Sequence, residues 1–230
     1  MKNNLLKISY SICKHNMSYL NFGNISAYDQ KNNCIYIKGS GFDLDTLKHN
    51  QICKVNIIKN NLKTKIKPSV DLNIHKEIFL KFPKIKYIVH THSIYLTIFS
   101  QLNLPIPCLG TTHADYFDKE IPVMRIIKKN ELNEYEKNSG VIITNYLKKK
   151  NIDPISLPGV LLPFHGPFIW GESVNDIINK SIVMEKIAEM AYKMILFKND
   201  LNKKRIAKIP KYLINYHYKR KNGPNKYYGQ

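Results

Sequence analysis

Arginine is nearly missing from this chain: only Arg125, Arg205 and Arg220 carry a guanidinium among 230 residues. The formal net charge is nonetheless +19, so almost all of the excess is lysine. Proteins that read nucleic acid exploit arginine's planar fork for bases and phosphates. Lysines scattered among asparagines and isoleucines read instead as compositional bias, which leaves a weak general attraction for anionic substrates. No nucleic-acid partner is expected. Cysteine is also scarce. Cys13, Cys34, Cys53 and Cys108 share no CxxC spacing, which argues against a thiolate metal site or a disulfide framework and for a reduced, cytoplasmic setting. Long apolar runs are absent: nothing approaches the roughly 20 residues of a membrane span. Met1 to Asn16 lacks the apolar core of a secretion signal, so no membrane partner is expected either. What is present is ordinary for a globular chain. Hydrophobic residues make up 43% and charged residues 23%, which argues against disorder outside the ends.

Apolar spacing predicts a helix over Leu5 to Leu20, broken by a turn at Phe22-Gly23-Asn24-Ile25-Ser26. Strands are expected at Cys34–Lys38, Ile52–Ile58, Lys86–His92, Ile106–Leu109 and Gly159–Phe164. Helices are expected over Asp71–Phe82, from Ser93 to about Asn103, over Glu131–Lys150 with an interruption at Gly140, and over Val174–Phe197. Met190 and Met194 read as core filler in the last of these. A basic tail helix should cover Leu201–Tyr218, broken near Pro210. Alternating strands and helices imply a layered α/β domain spanning residues 1–230.

His90 and His92 are two apart, a spacing that puts both imidazoles on one face of a strand. Imidazole suits zinc, and a catalytic zinc takes three protein ligands with one position open. His165 ends another apolar strand before Gly166-Pro167, and strand ends are where ligands gather in α/β sheets. Asp71 follows Pro68-Ser69-Val70. It reads either as a helix N-cap or as a ligand beside the histidines. Ser69 at the same helix start reads either as an N-cap or as a phosphate contact. Lys38-Gly39-Ser40-Gly41 leaves a strand and reads as a tight turn or an anion-binding nest. Downstream of Gly110-Thr111-Thr112, His113 and Asp115 add a base and a carboxylate, the latter a general acid or base if the metal is near.

Together with Gly23-Asn24-Ile25-Ser26, His165-Gly166-Pro167-Phe168-Ile169-Trp170-Gly171 and the terminal Tyr227-Tyr228-Gly229-Gln230, these motifs resemble, in order and over nearly the whole length, the L-ribulose-5-phosphate 4-epimerases of the class II aldolase superfamily. The resemblance implies a three-layer α/β sandwich whose central, mainly antiparallel sheet is flanked by helices. It implies a homotetramer with sites between subunits, to which the tail over about 201–230 contributes. It implies Zn2+ held by Asp71, His90, His92 and His165. Substrate and phosphate would be contacted by Asn24, Lys38, Ser40, Gly41, Ser69 and Thr111. Asp115 and Tyr228 would be the acid/base pair, with Tyr228, His217 and Arg220 supplied by the adjacent subunit and Glu136 near the same interface.

The implied reaction breaks and remakes a carbon–carbon bond of a pentulose 5-phosphate. The cation stabilises the enediolate, and proton donors on opposite faces serve the two orientations of the aldehyde. Two positions depart from the pattern: Val70 stands where relatives have a second serine, and Gly39 where they have proline. The missing hydroxyl removes a bond to a charged group worth about 1.5–3 kcal/mol. The alternatives are a class II aldolase acting on another sugar phosphate, which tends to carry glutamate at the Asp71 position, and more distantly a basic zinc protein that binds nucleic acid.

Overall fold

In a computed structural model, which describes residues 1–58, 66–200, 206–224 and 226–227, the chain forms a six-stranded, wholly antiparallel sheet between two layers of helices. The strands are β1 (Asn24–Asp29), β2 (Cys34–Lys38), β3 (Ile52–Asn56), β4 (Tyr87–His90), β5 (Gly159–Leu162) and β6 (Gly166–Gly171), in the spatial order β3-β2-β1-β4-β6-β5. The helices are α1 (Lys2–Lys14), α2 (Leu72–Lys81), α3 (Ile94–Gln101), α4 (Thr111–Tyr116), α5 (Tyr135–Lys149), α6 (Val174–Asp200) and α7 (Lys211–Asn222).

Strand alternation divides the core in two. Ile25, Ala27, Tyr87, Val89, Leu161 and Ile169 point to one face, where α1, α3 and α6 cover them with Leu5, Ile8, Leu96, Phe99, Met184 and Ala188. Ile35, Ile37, Ile88, Val160, Phe168 and Trp170 point to the other, covered by Ile74, Ile78 and Phe79 of α2 and Ile143 and Leu147 of α5. The sheet is therefore buried on both faces, as the expected sandwich requires.

Several local expectations are corrected. The first helix stops at Lys14, because Asn16 and Leu20 both take positive φ (55° and 52°). The segment read as a turn at Phe22–Ser26 enters β1, a central strand. Its Asn24 and Ser26 are buried polar residues, which hid the strand pattern. Gly166-Pro167 is not a turn but the start of β6. Proline is tolerated because Pro167 lies beyond the last residue of β4's ladder, which pairs His90 with Phe168. Ile106–Leu109 contributes only a single bridge, Ile106 to Ile121, and Thr111–Tyr116 is helical. Met190 and Met194 are 41% and 39% exposed rather than core. Pro210 caps α7 instead of breaking a helix, and Leu201 to Arg205 lie outside the described residues.

Lys129–Glu134 forms a 3-10 turn, and α5 then runs unbroken through Gly140. The glycine is there for close approach. A Cβ on Gly140 would sit 2.7 Å from Cβ of Glu77 and 3.1 Å from Cα of Ile74, both on α2. Gly140→Ala gains roughly 1 kcal/mol of helix propensity but forces α2 and α5 apart, an overpacking cost of about 1–3 kcal/mol. Urea denaturation is expected to show net destabilisation; a more stable variant would mean the two helices can separate freely.

Candidate metal centre

β1, β4 and β6 end abreast. Asn24 of β1 pairs with His90 of β4, and His90 pairs with Phe168 of β6. Gly23 permits this start of β1, since its φ is +80° and a Cβ there would lie 2.6 Å from the His90 carbonyl oxygen. His90 is buried, stacked on Phe168 with ring centroids 4.4 Å apart, and its Nδ1 is 2.9 Å from the Pro167 carbonyl oxygen. That oxygen only accepts, so Nδ1 carries the proton and Nε2 presents its lone pair. The chain then leaves the sheet, so His92 is not on the strand as its spacing suggested. It swings back through a loop, and its Nε2 lies 3.2 Å from Nε2 of His90. His165 sits in the turn between β5 and β6, its ring 4.6 Å from that of His90 and 5.4 Å from that of His92.

One nitrogen from each of His90, His92 and His165 lies within 4.8 Å of the others, an arrangement that could hold a metal ion. Asp71 joins them from the start of α2. It occupies the N-cap position but makes no side-chain cap; Oδ2 instead accepts from Nδ2 of Asn24 at 2.6 Å and lies 3.9 Å from Nε2 of His90. Three imidazoles and a carboxylate form a donor set that suits a borderline divalent cation. All three imidazoles are held below the ordinary histidine range. Burial is the first cause for each, and for His90 and His92 the neighbouring imidazoles add to it. They are therefore neutral near pH 7, the form that ligates metal.

Around this cluster is a cavity of about 510 Å³, whose wall includes Asn24, Lys38, Ser40, Gly41, Ser69, Val70, Asp71, Glu136 and the three histidines. Two backbone bonds bring the phosphate candidates together: Ser69 N donates to Lys38 O, and Ser40 N donates to Lys67 O. Lys38 is buried, its ammonium donating to the carbonyls of Asn21 (3.2 Å) and Phe42 (2.5 Å). Burial lowers its pKa, while Asp43 and Asp71 oppose that shift. Val70 is 68% exposed at the rim. Phe22, Tyr135 and Phe164 also line the cavity and escaped the sequence reading. Their only signal there was adjacency to candidates: Phe22 to Gly23-Asn24, Tyr135 to Glu136 and Phe164 to His165.

The remaining predicted residues are elsewhere. Asp115, on α4, does not line the cavity. Its Oδ1 accepts from His217 Nδ1 at 2.9 Å and from Arg220 Nε at 3.1 Å, and Oδ2 accepts from Arg220 Nη2 at 3.1 Å. Burial raises the Asp115 pKa, but Arg220 and His217 outweigh it and hold the carboxyl below its usual range. His217 and Arg220 therefore meet Asp115 within one chain, rather than reaching it from a neighbour. Glu136 lines the cavity of its own chain. Thr111 opens α4 and is not on the cavity wall. Tyr228 lies outside the described residues.

Residues 3–192 match the family described as Class II Aldolase and Adducin N-terminal domain. The chain belongs to this family. Solved structures similar to this class II aldolase family member include an L-fuculose 1-phosphate aldolase, 19% identical with a TM-score of 0.75 over 95% of this chain and 94% of that one. YgbL from Klebsiella pneumoniae, a putative aldolase/epimerase/decarboxylase, is 20% identical with a TM-score of 0.71 over 94% and 96%. An aldolase II superfamily protein from Pseudomonas syringae is 15% identical with a TM-score of 0.74 over 97% and 86%. At these identities the likeness establishes the shared fold. No helix among the described residues of this family member is long and apolar enough to cross a membrane.

Two further buried histidines are not members of the triad, although His75 shares Phe168 as a neighbour with His90. His113 Nε2 donates to Lys119 O at 2.8 Å, its Nδ1 has no hydrogen-bond partner among the described residues, and burial pushes its pKa down to about 4. His75 is bonded to Ser26 Oγ at 2.6 Å and pushed down to about 3, mainly by burial. Unfolded, each takes up a proton below about 6.5; folded, neither does until far lower pH. Stability is thus fully present above pH 6.5 and lost as pH falls toward 4, by about 3 kcal/mol for His113 alone over that window. Urea unfolding with chelator present at pH 7.5, 6 and 5 should show this fall, and His113→Gln should make it shallower. An unchanged slope would remove His113 as a proton-linked site.

Proposed function

We propose that the protein is an L-ribulose-5-phosphate 4-epimerase that interconverts L-ribulose 5-phosphate and D-xylulose 5-phosphate. The observation that carries the reading is the convergence of His90, His92 and His165, beside Asp71, in one cavity with Ser40, Gly41 and Ser69. Asp71, His90, His92 and His165 would hold a divalent cation, Zn2+ in this reading. When bound, that cation supplies Lewis-acid stabilisation of the negative charge left when the carbon–carbon bond breaks. Ser40, Gly41 and Ser69 hold the phosphate, which keeps the aldehyde fragment in place while its carbonyl turns. Asn24 and buried Lys38 orient the substrate oxygens and add positive potential at the cavity floor.

Inverting one carbon needs two proton-handling groups. As the bond between C3 and C4 breaks, a base takes the C4 hydroxyl proton and the bonding electrons stay with C3. After the aldehyde rotates, the electron pair returns to the other face of C4, and an acid opposite protonates the new alkoxide. Asp115 is kept ionised by Arg220 and His217, so it can accept a proton, and its depressed pKa makes it a weak base that returns that proton readily. Tyr228 is the second group in this proposal. The cavity of one chain lacks Asp115, so we assign Asp115, His217, Arg220 and Thr111 to a site formed with the adjacent subunit of a tetramer. The C-terminal tail serves that contact, and residues 1–230 act as one domain. A cytoplasmic setting accords with the sugar-phosphate substrate.

NMR of metal-loaded protein with L-ribulose 5-phosphate should show D-xylulose 5-phosphate forming. Cleavage of a sugar phosphate into released fragments, without that product, would make the protein an aldolase instead. Shared sites give a second test. Asp115→Asn should lower turnover about 10²–10⁴-fold, and His92→Ala should abolish it. Mixed oligomers of the two inactive variants should then regain activity, because some sites combine an intact cavity with an intact Asp115. No recovery in demonstrably mixed oligomers would mean that each chain builds its own site.

A further inference from the structure

His92 stands on neither of the elements that flank it. β4 ends at His90, which the ladder and the Pro167 carbonyl pin in place, and α3 begins at Ile94. The start of α3 lacks the usual local support. Ser93 is its N-cap but forms no side-chain cap; its hydroxyl instead accepts from Thr91 Oγ1 at 3.3 Å, and the first turn holds no acidic residue. The exposed amides are met from a distance. Glu185, on α6, accepts from the Tyr95 backbone N–H through Oε1 at 3.0 Å and from the Leu96 N–H through Oε2 at 3.1 Å. One carboxylate thereby occupies the second and third amides of the helix, the role a local cap residue ordinarily fills.

We propose that Glu185 is a positioning residue of the metal centre, a remote cap that fixes the β4–α3 loop and so aims the His92 imidazole at His90 and His165. This inference rests on the metal-binding reading of those three histidines. Two physical effects act together. Geometrically, the loop from Thr91 to Ser93 is held at one end by the sheet and at the other by α6, leaving His92 little freedom. Electrostatically, the N-terminus of α3 bears partial positive charge beside a site that would carry a dication, and the Glu185 carboxylate offsets it. Groups outside the ligand set that orient a ligand typically change metal affinity about 10–100-fold when lost.

The test is Co2+ binding to the full-length protein, followed by its visible absorption and by chelator competition. Glu185→Ala should bind Co2+ about 10–100-fold more weakly, with an altered absorption envelope. Amide exchange at Tyr95 and Leu96 should accelerate in the metal-free protein. Glu185→Gln keeps one acceptor oxygen and should recover part of the affinity, and it serves if the alanine variant folds poorly. Glu189→Gln, which removes only a surface partner of Lys186 and Lys193 on the same helix, should match wild type. Wild-type affinity and spectrum in both Glu185 variants would overturn the inference while leaving the metal centre intact. Wild-type protein that binds no Co2+ would overturn the metal-centre reading itself, and this inference with it.

Discussion

The hydrogen bond from His90 Nδ1 to the Pro167 carbonyl is the constraint on which the rest of the centre depends. It sets the tautomer of a fully buried imidazole, so that Nε2 faces the cavity as an acceptor. It joins the end of β4 to the beginning of β6, where a proline leaves no N–H of its own to satisfy. It also determines where the β5–β6 turn can lie, and that turn carries His165. Phe168, next along β6, stacks on the same ring and closes it from water. The other candidate ligands are arranged against this fixed point: His92 returns to it through a loop, and Asp71 approaches it while held by Asn24.

A cluster of this kind is costly without a cation. Three imidazoles share a small volume, burial and mutual repulsion keep them unprotonated, and Lys38 places another positive charge below them. Among the described residues of the wall, Asp71 and Glu136 supply the negative charge. Such an arrangement is stable when the imidazoles stay neutral and when a bound cation engages their lone pairs. The same logic separates the two groups of polar residues. The cavity gathers ligands and hydroxyls suited to an anionic substrate. Asp115 is held ionised elsewhere by a guanidinium and an imidazole, which engage both of its oxygens.

Much of this was legible in the residues, for identifiable reasons. His90 and His165 are chemically distinctive and follow apolar segments, so they could be singled out as candidates, and Asp71 and Ser69 stood out at a helix start; all four line one cavity with His92. The long amphipathic period of α6 and the alternation of β2 and β3 were equally plain. β1 was not, because Asn24 and Ser26 are buried polar residues that break the apolar pattern. Gly166-Pro167 misled in the same way: a dipeptide that usually turns the chain here starts a strand, because the neighbouring strand has already ended. Gly140 signalled a break when it marks a helix–helix contact.

Composition and local pattern argued against an arginine-based nucleic-acid reader and a thiolate metal site, and pointed to a layered α/β chain with candidate metal-binding histidines. These are properties of residue type and spacing, which do not depend on how distant segments meet. Which residues share a site is a different kind of fact. That His92 reaches His90 through a loop, that Glu185 caps a helix ninety positions earlier, and that His217 and Arg220 grip Asp115 of their own chain are long-range contacts. They were decided only when the two cores packed α2 and α5 on one face of the sheet and α1, α3 and α6 on the other, because no local propensity encodes the distance between segments so far apart.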